Sequence, residues 1–350
     1  MTPSMIIKYW GIRGSVPSPL TSKQIREKQF VLIKQLAQEG GIKKLFGENL
    51  DPELVKEYLK KLPLSISGTY GGDTTCIEIQ IKDTPLIMID TGTGARLLGE
   101  VLLKRLVEEH NLNPLNSEKE TAKDLHIFYT HYHWDHIQGF PFFAPSFING
   151  EKKISIHFYG RKDARRRLSE VLAGQQQYPN FPVVLEDIPC AKTYNELNRL
   201  ESRTINVGQA IINYQELTHP DSVFAYAFDI DGKKFVCATD TEHRNAPDPR
   251  LLKIARGADI LYYDSQYTPE EYLDKFDWGH STYEWAIRTA LAAEVKTVVL
   301  GHHEPRRNDF DLEELKKKAV AFKDELLKLP EHEGKQLEIV VAYQGLLQKL

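Results

Sequence analysis

The run Tyr129-Thr130-His131-Tyr132-His133-Trp134-Asp135-His136 constrains this chain more than any other. Three imidazoles and a carboxylate fall within six residues, directly after the apolar, strand-length segment 126–129. A strand that ends in a tight loop can turn alternate side chains into one cavity. The spacing therefore predicts a metal site at the carboxyl end of a strand, and with it a sheet that leaves a crevice there. Imidazole combined with carboxylate suits zinc, manganese or iron, whereas an all-oxygen magnesium or calcium site has no use for the histidines. Chance would have to place three of the chain's twelve histidines in those six positions.

Other short apolar or β-branched runs recur at 5–9, 76–81, 86–89, 154–158, 210–216, 224–228, 234–238, 260–263, 297–300 and 338–342, and turn residues usually follow them. Helical periodicity marks 22–37, 52–61, 95–109, 163–173, 281–293 and 312–327. The first half is strand-rich with one strong helix, and the second half repeats that order. Such an α/β pattern predicts two mixed sheets packed face to face with helices outside, an αββα sandwich. Residues 1–350 read as one domain, with the segment from about Leu20 to Leu64 as a helical insertion between two glycine-rich turns. A lid, a dimer contact and a hairpin that only packs on the surface are the alternatives for that insertion.

Hydrophobic residues make up 41% and charged residues 27%, enough apolar material for a core. A formal charge of −4 argues against sequence-blind nucleic-acid binding, which relies on many Lys and Arg contacts to phosphate. Cys76, Cys190 and Cys237 lie far apart without CxxC spacing, so neither a disulfide framework nor a thiolate metal site is expected. The start has no basic stretch followed by an apolar one, and no run of 18 apolar residues occurs. A cytoplasmic protein with no membrane partner is the expectation.

HYHWDH matches the HxHxDH signature of the metallo-β-lactamase superfamily, whose fold is the αββα sandwich. The resemblance implies two divalent metal ions, zinc or manganese with iron also compatible. It assigns His131, His133 and His219 to the first ion, Asp135 and His136 to the second, and Asp240 as a bridge. His219, Asp240 and the pair His302-His303 each follow a strand-length run in the required order. His302, nearest the strand end, is preferred as the last ligand, with His303 as the alternative. A shared carboxylate holds two cations about 3.5–4 Å apart, the spacing of two-metal hydrolytic sites, and the pair makes a bridging hydroxide available near neutral pH. Asp135 reads as a ligand of the second metal more than as a free base, because cations favour its ionised form.

The lactamases of the superfamily commonly use a Cys ligand and lack the bridging Asp, so Asp240 argues against lactam hydrolysis. Thioester hydrolases of the glyoxalase II type share all the ligand types and remain an alternative. The stretch Asp277-Trp278-Gly279-His280-Ser281-Thr282 resembles the HST element of the ribonuclease Z-like phosphodiesterases. That likeness implies that His280 lies beside the metals, contacts phosphate and protonates the leaving oxygen as general acid. Ser281 and Thr282 join it as substrate-binding candidates, either able to cap a helix whose N-terminus offers N–H groups to an anion. The turns at 11–15 and 71–76 and the strand end Asp90-Thr91-Gly92-Thr93-Gly94 are similar to the same branch, in which Asn often stands where Asp73 is here. The resemblance covers most of residues 5–17 and 70–345.

Ribonuclease Z proper carries a long Gly/Pro- and Lys-rich arm for precursor tRNA. Here the interval 139–218 holds five prolines and one basic stretch, 161–167, which reads as the start of an amphipathic helix. The resemblance therefore points first to a small-molecule phosphodiester, a 3′,5′-cyclic nucleotide above others. The alternatives are an RNA-processing nuclease of ribonuclease Z type and the thioester hydrolase; a metal-binding regulator without turnover would require a broken ligand set. No stable nucleic-acid complex is expected, and a homodimer is what the family implies. Phe140, Phe142, Phe143 and Tyr178 are candidates to stack on a base, or else core residues.

Overall fold

In Cys76–Ile81 alternate residues take opposite sides of the strand: Ile77, Ile79 and Ile81 join an apolar cluster between two sheets, while Glu78 faces the other way. Glu78 is fully buried there and takes hydrogen bonds from Trp10 Nε1 and Arg105. Period-two alternation of this kind commits each face of a strand to one layer. The computed structural model describes residues 4–162, 166–198 and 204–350.

Fourteen strands form among these residues: β1 (Met5–Gly11), β2 (Cys76–Ile81), β3 (Leu86–Ile89), β4 (Asp124–Phe128), β5 (Ser155–Arg161), β6 (Ala191–Leu197), β7 (Thr204–Val207), β8 (Ala210–Leu217), β9 (Val223–Ile230), β10 (Lys233–Ala238), β11 (Ile260–Asp264), β12 (Thr297–Gly301), β13 (Glu338–Val341) and β14 (Leu347–Lys349). They make two seven-stranded sheets, in the orders β14-β1-β2-β3-β4-β5-β6 and β13-β12-β11-β10-β9-β8-β7. Each sheet is mixed. β3 to β6 run parallel in the first and β10 to β13 in the second, while the remaining pairs are antiparallel.

Three apolar clusters give the layer order. One lies between the sheets, where Ile77, Ile79 and Phe128 meet Ile212, Tyr226, Phe235 and Tyr262. A second packs the first sheet under the helix Gly94–Glu108, and a third packs the second sheet under the helices Pro249–Ala255, Tyr283–Ala292 and Asp309–Leu326. Helix, sheet, sheet, helix is the expected αββα sandwich.

Strands β6, β7 and β14 lie outside the sequence-based assignment. β6 reads Ala-Lys-Thr-Tyr-Asn-Glu-Leu and is mostly half-exposed at a sheet edge, so no apolar alternation marks it. The basic stretch 161–167 was expected to open a helix; residues 163–165 lie outside the described residues, and the helix observed there is Leu168–Gly174.

Between β1 and β2 run the helices Ser22–Gln38, Ile42–Phe46, Pro52–Lys61 and Leu64–Ser67. Thr21 and Gln24 form a capping box, and Asp51 caps a helix opened by Pro52. Buried Lys28 fastens this segment to the body by donating to Asp309 and to Gly68 O. Removing one partner of such a buried pair costs about 3–5 kcal/mol. No helix among the described residues is long and apolar enough to cross a membrane.

Candidate metal centre

Both sheets turn the carboxyl ends of their parallel strands to one rim, the place where open α/β sheets bind ligands. β3 ends at Asp90, β4 leads into His131 to His136, β8 into His219, β10 into Asp240, β11 into Asp264 and β12 into His302. Asp90, Asp240 and His302 each leave their strand in the left-handed region, at φ 55°, 51° and 55°. Such a backbone costs about 1–3 kcal/mol per non-glycine residue and persists where the surroundings over-determine it. It swings the side chain out of the strand's alternation and into the crevice.

The side chains converge as two main donor groups, His131 with His133 and His219, and Asp135 with His136, Asp240 and His302, and a third that overlaps the second, Asp240 and His302 with Asp264 and His280; the ligand atoms within each lie within 4.8 Å of one another. His133 Nδ1 stands 3.2 Å from His219 Nε2. In the second group His136 Nε2 is 3.2 Å from Asp135 Oδ2 and from Asp240 Oδ2, and His302 Nε2 is 3.2 Å from Asp135 Oδ2 and from Asp240 Oδ1. Asp240 touches both groups, since its Oδ1 also lies 3.8 Å from His131 Nε2. His303 takes no part: its Nε2 meets Ala342 O at 3.0 Å, on the far side of the strand end.

Outer contacts fix most of these rings. His136 Nδ1 is 2.7 Å from Asp90 Oδ2, His219 Nδ1 donates to Gly279 O at 2.9 Å, and His133 Nε2 faces Asp221 Oδ2 at 3.2 Å. Gly279, at φ 86°, has to be glycine, because a Cβ there would sit 2.2 Å from His219 Nδ1. Asp90 also accepts from the Thr130 N–H and hydroxyl, so one carboxylate orients the loop and a ligand ring together. Ser15 N donates to Asp135 Oδ2 at 2.8 Å, which gives the first glycine-rich turn a part in the centre.

The charges of the two groups differ. Burial keeps His131 and His219 below the ordinary histidine range, His131 well below it. Burial works the same way on His136 and His302, but carboxylates overcome it. Asp240, Asp135 and Asp90 hold His136 well above its ordinary value, and Asp240, Asp135 and Asp264 push His302 up to about 10. Burial alone would raise Asp135 and Asp240, yet the facing imidazoles hold both well below the carboxylate range. In Asp90 burial wins over His136, and that acid is raised.

The donors fit divalent cations. In a tetrahedral shell with ligand bonds of about 2.0–2.1 Å, neighbouring donors stand about 3.3–3.4 Å apart, close to the spacings found here. His131 Nε2 is buried inside the first group without a hydrogen-bond partner. The second group balances its carboxylates only by keeping protons on two imidazoles, a role that a cation fills directly.

His280 stands beside the second group. Its Nδ1 is 2.9 Å from Asp264 Oδ2, and its ring stacks on His302 with centroids 5.1 Å apart. Asp264, fully buried, also accepts from Asp240 N and Ser281 N, and His280 and His302 draw its pKa down to about 2 against the pull of burial. Sequence reasoning missed Asp264 because a lone Asp closing a buried strand belongs to no local motif. It also missed Glu242, which accepts from Asp277 N and Gly279 N and so holds the turn before His280; its place two residues after Asp240 was the available signal.

Several expected contacts fall elsewhere. Ser281 and Thr282 are sealed inside: the Ser281 hydroxyl pairs with His243 Nδ1 at 2.7 Å, and Thr282 caps the helix Tyr283–Ala292. Both hydroxyls are thus engaged inside the fold, whereas His280 stands at the second donor group. Phe140 and Phe143 are fully buried core residues, whereas Phe142 and Tyr178 are exposed. Asp73 accepts from Gln344 Nε2 and, through its carbonyl, from Ile12 N and Arg13 N, which ties the two glycine-rich turns together.

Residues 86–303 match the family described as beta-lactamase superfamily domain. Ribonuclease Z of Bacillus subtilis is 23% identical over 300 residues, covering 67% of this chain and 93% of that protein. Among solved structures, the metallo-beta-lactamase fold protein YhfI of Bacillus subtilis superimposes with a TM-score of 0.57 at 15% identity over 100% of both chains. Human tRNase Z, short form, gives a TM-score of 0.55 at 13% identity over 98% of each chain.

Proposed function

Since the chain belongs to the beta-lactamase superfamily and is a metal-dependent hydrolase, we propose that it is a binuclear phosphodiesterase acting on a small diester, a 3′,5′-cyclic nucleotide first among them. The observation that carries this reading is the Asp264–His280 pair beside the shared carboxylate Asp240. A thiolate leaves readily without a proton, but the alkoxide of a diester needs one. A buried, oriented imidazole is what diester cleavage requires and thioester cleavage does not.

In this reading His131, His133 and His219 hold one ion, Asp135, His136 and His302 the other, and Asp240 spans them, with zinc or manganese as the metal. Ions held there supply Lewis-acid polarisation of a phosphoryl oxygen and hydroxide near neutral pH. The chain's own residues do the rest. His133 is half-exposed and borders a cavity of about 170 Å³ that Tyr132, Arg161 and Ser222 also line, which gives the diester its entry. His280 donates its Nδ1 proton to Asp264, so its Nε2 is the atom that carries a proton to the departing oxygen. Asp264 fixes the orientation of the ring.

The mildly acidic chain supports a small diester over RNA. The ribonuclease Z relatives favour the second reading, an RNA-processing nuclease. Residues 1–350 are taken as one domain with 20–64 as an insertion. Exposed Phe30 and Ile33 on the helix Ser22–Gln38 support a homodimer contact there. The three free, buried cysteines support a cytoplasmic setting.

The test loads purified protein with Zn²⁺ or Mn²⁺ and compares turnover of bis(p-nitrophenyl) phosphate, cyclic nucleotides, precursor tRNA and a glutathione thioester. Turnover of cyclic nucleotides is expected. Activity on the thioester alone would sink the proposal, and activity on precursor tRNA alone would replace it with the nuclease.

A further inference from the structure

A groove of about 1080 Å³ opens beside the metal centre, and the chemistry above gives it no task. Tyr132 walls both this groove and the smaller cavity over His131 and His133, so the two lie on either side of one side chain. Trp134, which directly follows His133, projects into it and is 72% exposed. Phe142, 60% exposed, faces it from the next turn and stands edge-on to Phe181 with centroids 5.5 Å apart. Large exposed rings beside a reaction centre are unfavourable in water and mark a surface that a ligand covers.

The remaining wall is chemically selective. Gln177 and Asn180 present primary amides with donors and an acceptor, Gln138 adds an amide whose Nε2 also donates to Thr74 Oγ1 at 3.4 Å, and Arg166 adds a cation. The carboxylate of Glu170 is engaged in capping Arg167 N. The other end of the groove is fastened to the ligand-bearing turn, because Gln175 Nε2 donates to Ile137 O at 3.0 Å. Flat rings for a π-face and amides for a patterned edge are the features that hold a nucleobase. The volume lies just above the roughly 300–1,000 Å³ of small-ligand sites and is ample for a nucleoside.

We infer that this groove receives the nucleobase of the diester, stacked on Trp134 or Phe142 with its edge against the amides. The inference rests on the phosphodiesterase reading for what lies at the metals, but the base contact can be measured apart from turnover. Calorimetric titration of the metal-loaded protein with adenosine 5′-monophosphate and with ribose 5-phosphate is the direct test. The nucleotide is expected to bind about tenfold more tightly, the effect of a single base–aromatic stack. Trp134→Ala and Phe142→Ala should each erode that preference while leaving ribose 5-phosphate unchanged, and Trp134→Phe should restore most of it.

Phe142 lies outside the ligand-bearing turn, so its variant answers the objection that a change at Trp134 disturbs His133. Equal affinity for the two probes, or a preference that survives both alanine variants, overturns the inference. Parallel assays with thymidine 5′-(p-nitrophenyl phosphate) and methyl p-nitrophenyl phosphate separate the two proposals. Failure to hydrolyse either diester defeats the phosphodiesterase reading, whereas the titration decides the groove in either event.

Discussion

The two donor groups of the centre sit side by side and solve opposite problems. His131, His133 and His219 form a group of imidazoles, with His133 half-exposed and burial favouring the neutral ring in His131 and His219. Asp135, His136, Asp240 and His302 form a sealed group in which carboxylates outweigh burial and hold protons on two rings. His131 and His219 are ready to donate lone pairs as they stand. The second group calls for positive charge and must release protons to accept a cation. Asp240 belongs to both, which makes it the point at which the contrast can be broken.

Asp240→Ala should therefore produce the largest effect, loss of detectable hydrolysis together with a fall in bound metal at both groups. Full metal content and full activity in that variant would refute the two-group site. His280→Ala acts on the proton side alone. Its kcat should drop about 100- to 10,000-fold with an alkoxide leaving group. The loss should be much smaller with p-nitrophenolate, which departs without a proton, and metal content measured by atomic absorption should not change.

The outer partners sharpen the comparison. Asp90, buried behind His136, should matter about 10- to 100-fold in metal affinity or activity when changed to Asn. Asp221, three-quarters exposed behind His133, should matter only a few-fold, because water replaces it readily. Equal losses from the two variants would show that burial does not separate the groups.

The smallest effect is the pH response of chelator-treated protein. His302 holds its proton up to about 10, against an ordinary 6.5. Its contribution to stability is whole below pH 6.5 and fades as pH rises toward 10. His131 is lowered, so its contribution is present above about 6.5 and is lost as pH falls below that. Melting temperatures in EDTA should thus decline on both limbs, and His302→Ala should flatten the alkaline one. An unchanged alkaline limb in that variant would reassign the proton to another group.

Most of the centre could be read from local sequence. The HxHxDH run needs only one strand end to bring its side chains together, and strands such as Cys76–Ile81 and Leu86–Ile89 carry their apolar pattern openly. Edge strands such as Ala191–Leu197 escape notice because a half-exposed edge places no demand on hydrophobicity. Asp264 and Glu242 escape for a different reason. Each is a single polar residue whose role comes from partners 16 and 37 positions away.

The sequence by itself pointed to the layer order through periodicity and, within one short window, to His131, His133, Asp135 and His136 through donor chemistry, while His219, Asp240 and His302 came from the resemblance to the superfamily. It left His302 and His303 as alternatives. Tertiary structure separates them: a left-handed backbone at His302 turns one ring among the carboxylates, and the next residue points to Ala342 O. It likewise sealed Ser281 and Thr282 inside, exposed Trp134 to a groove, and set Asp264 behind His280. Pairing of β11 between β10 and β12 brings those distant strand ends to one rim, and no local pattern encodes which ends will meet.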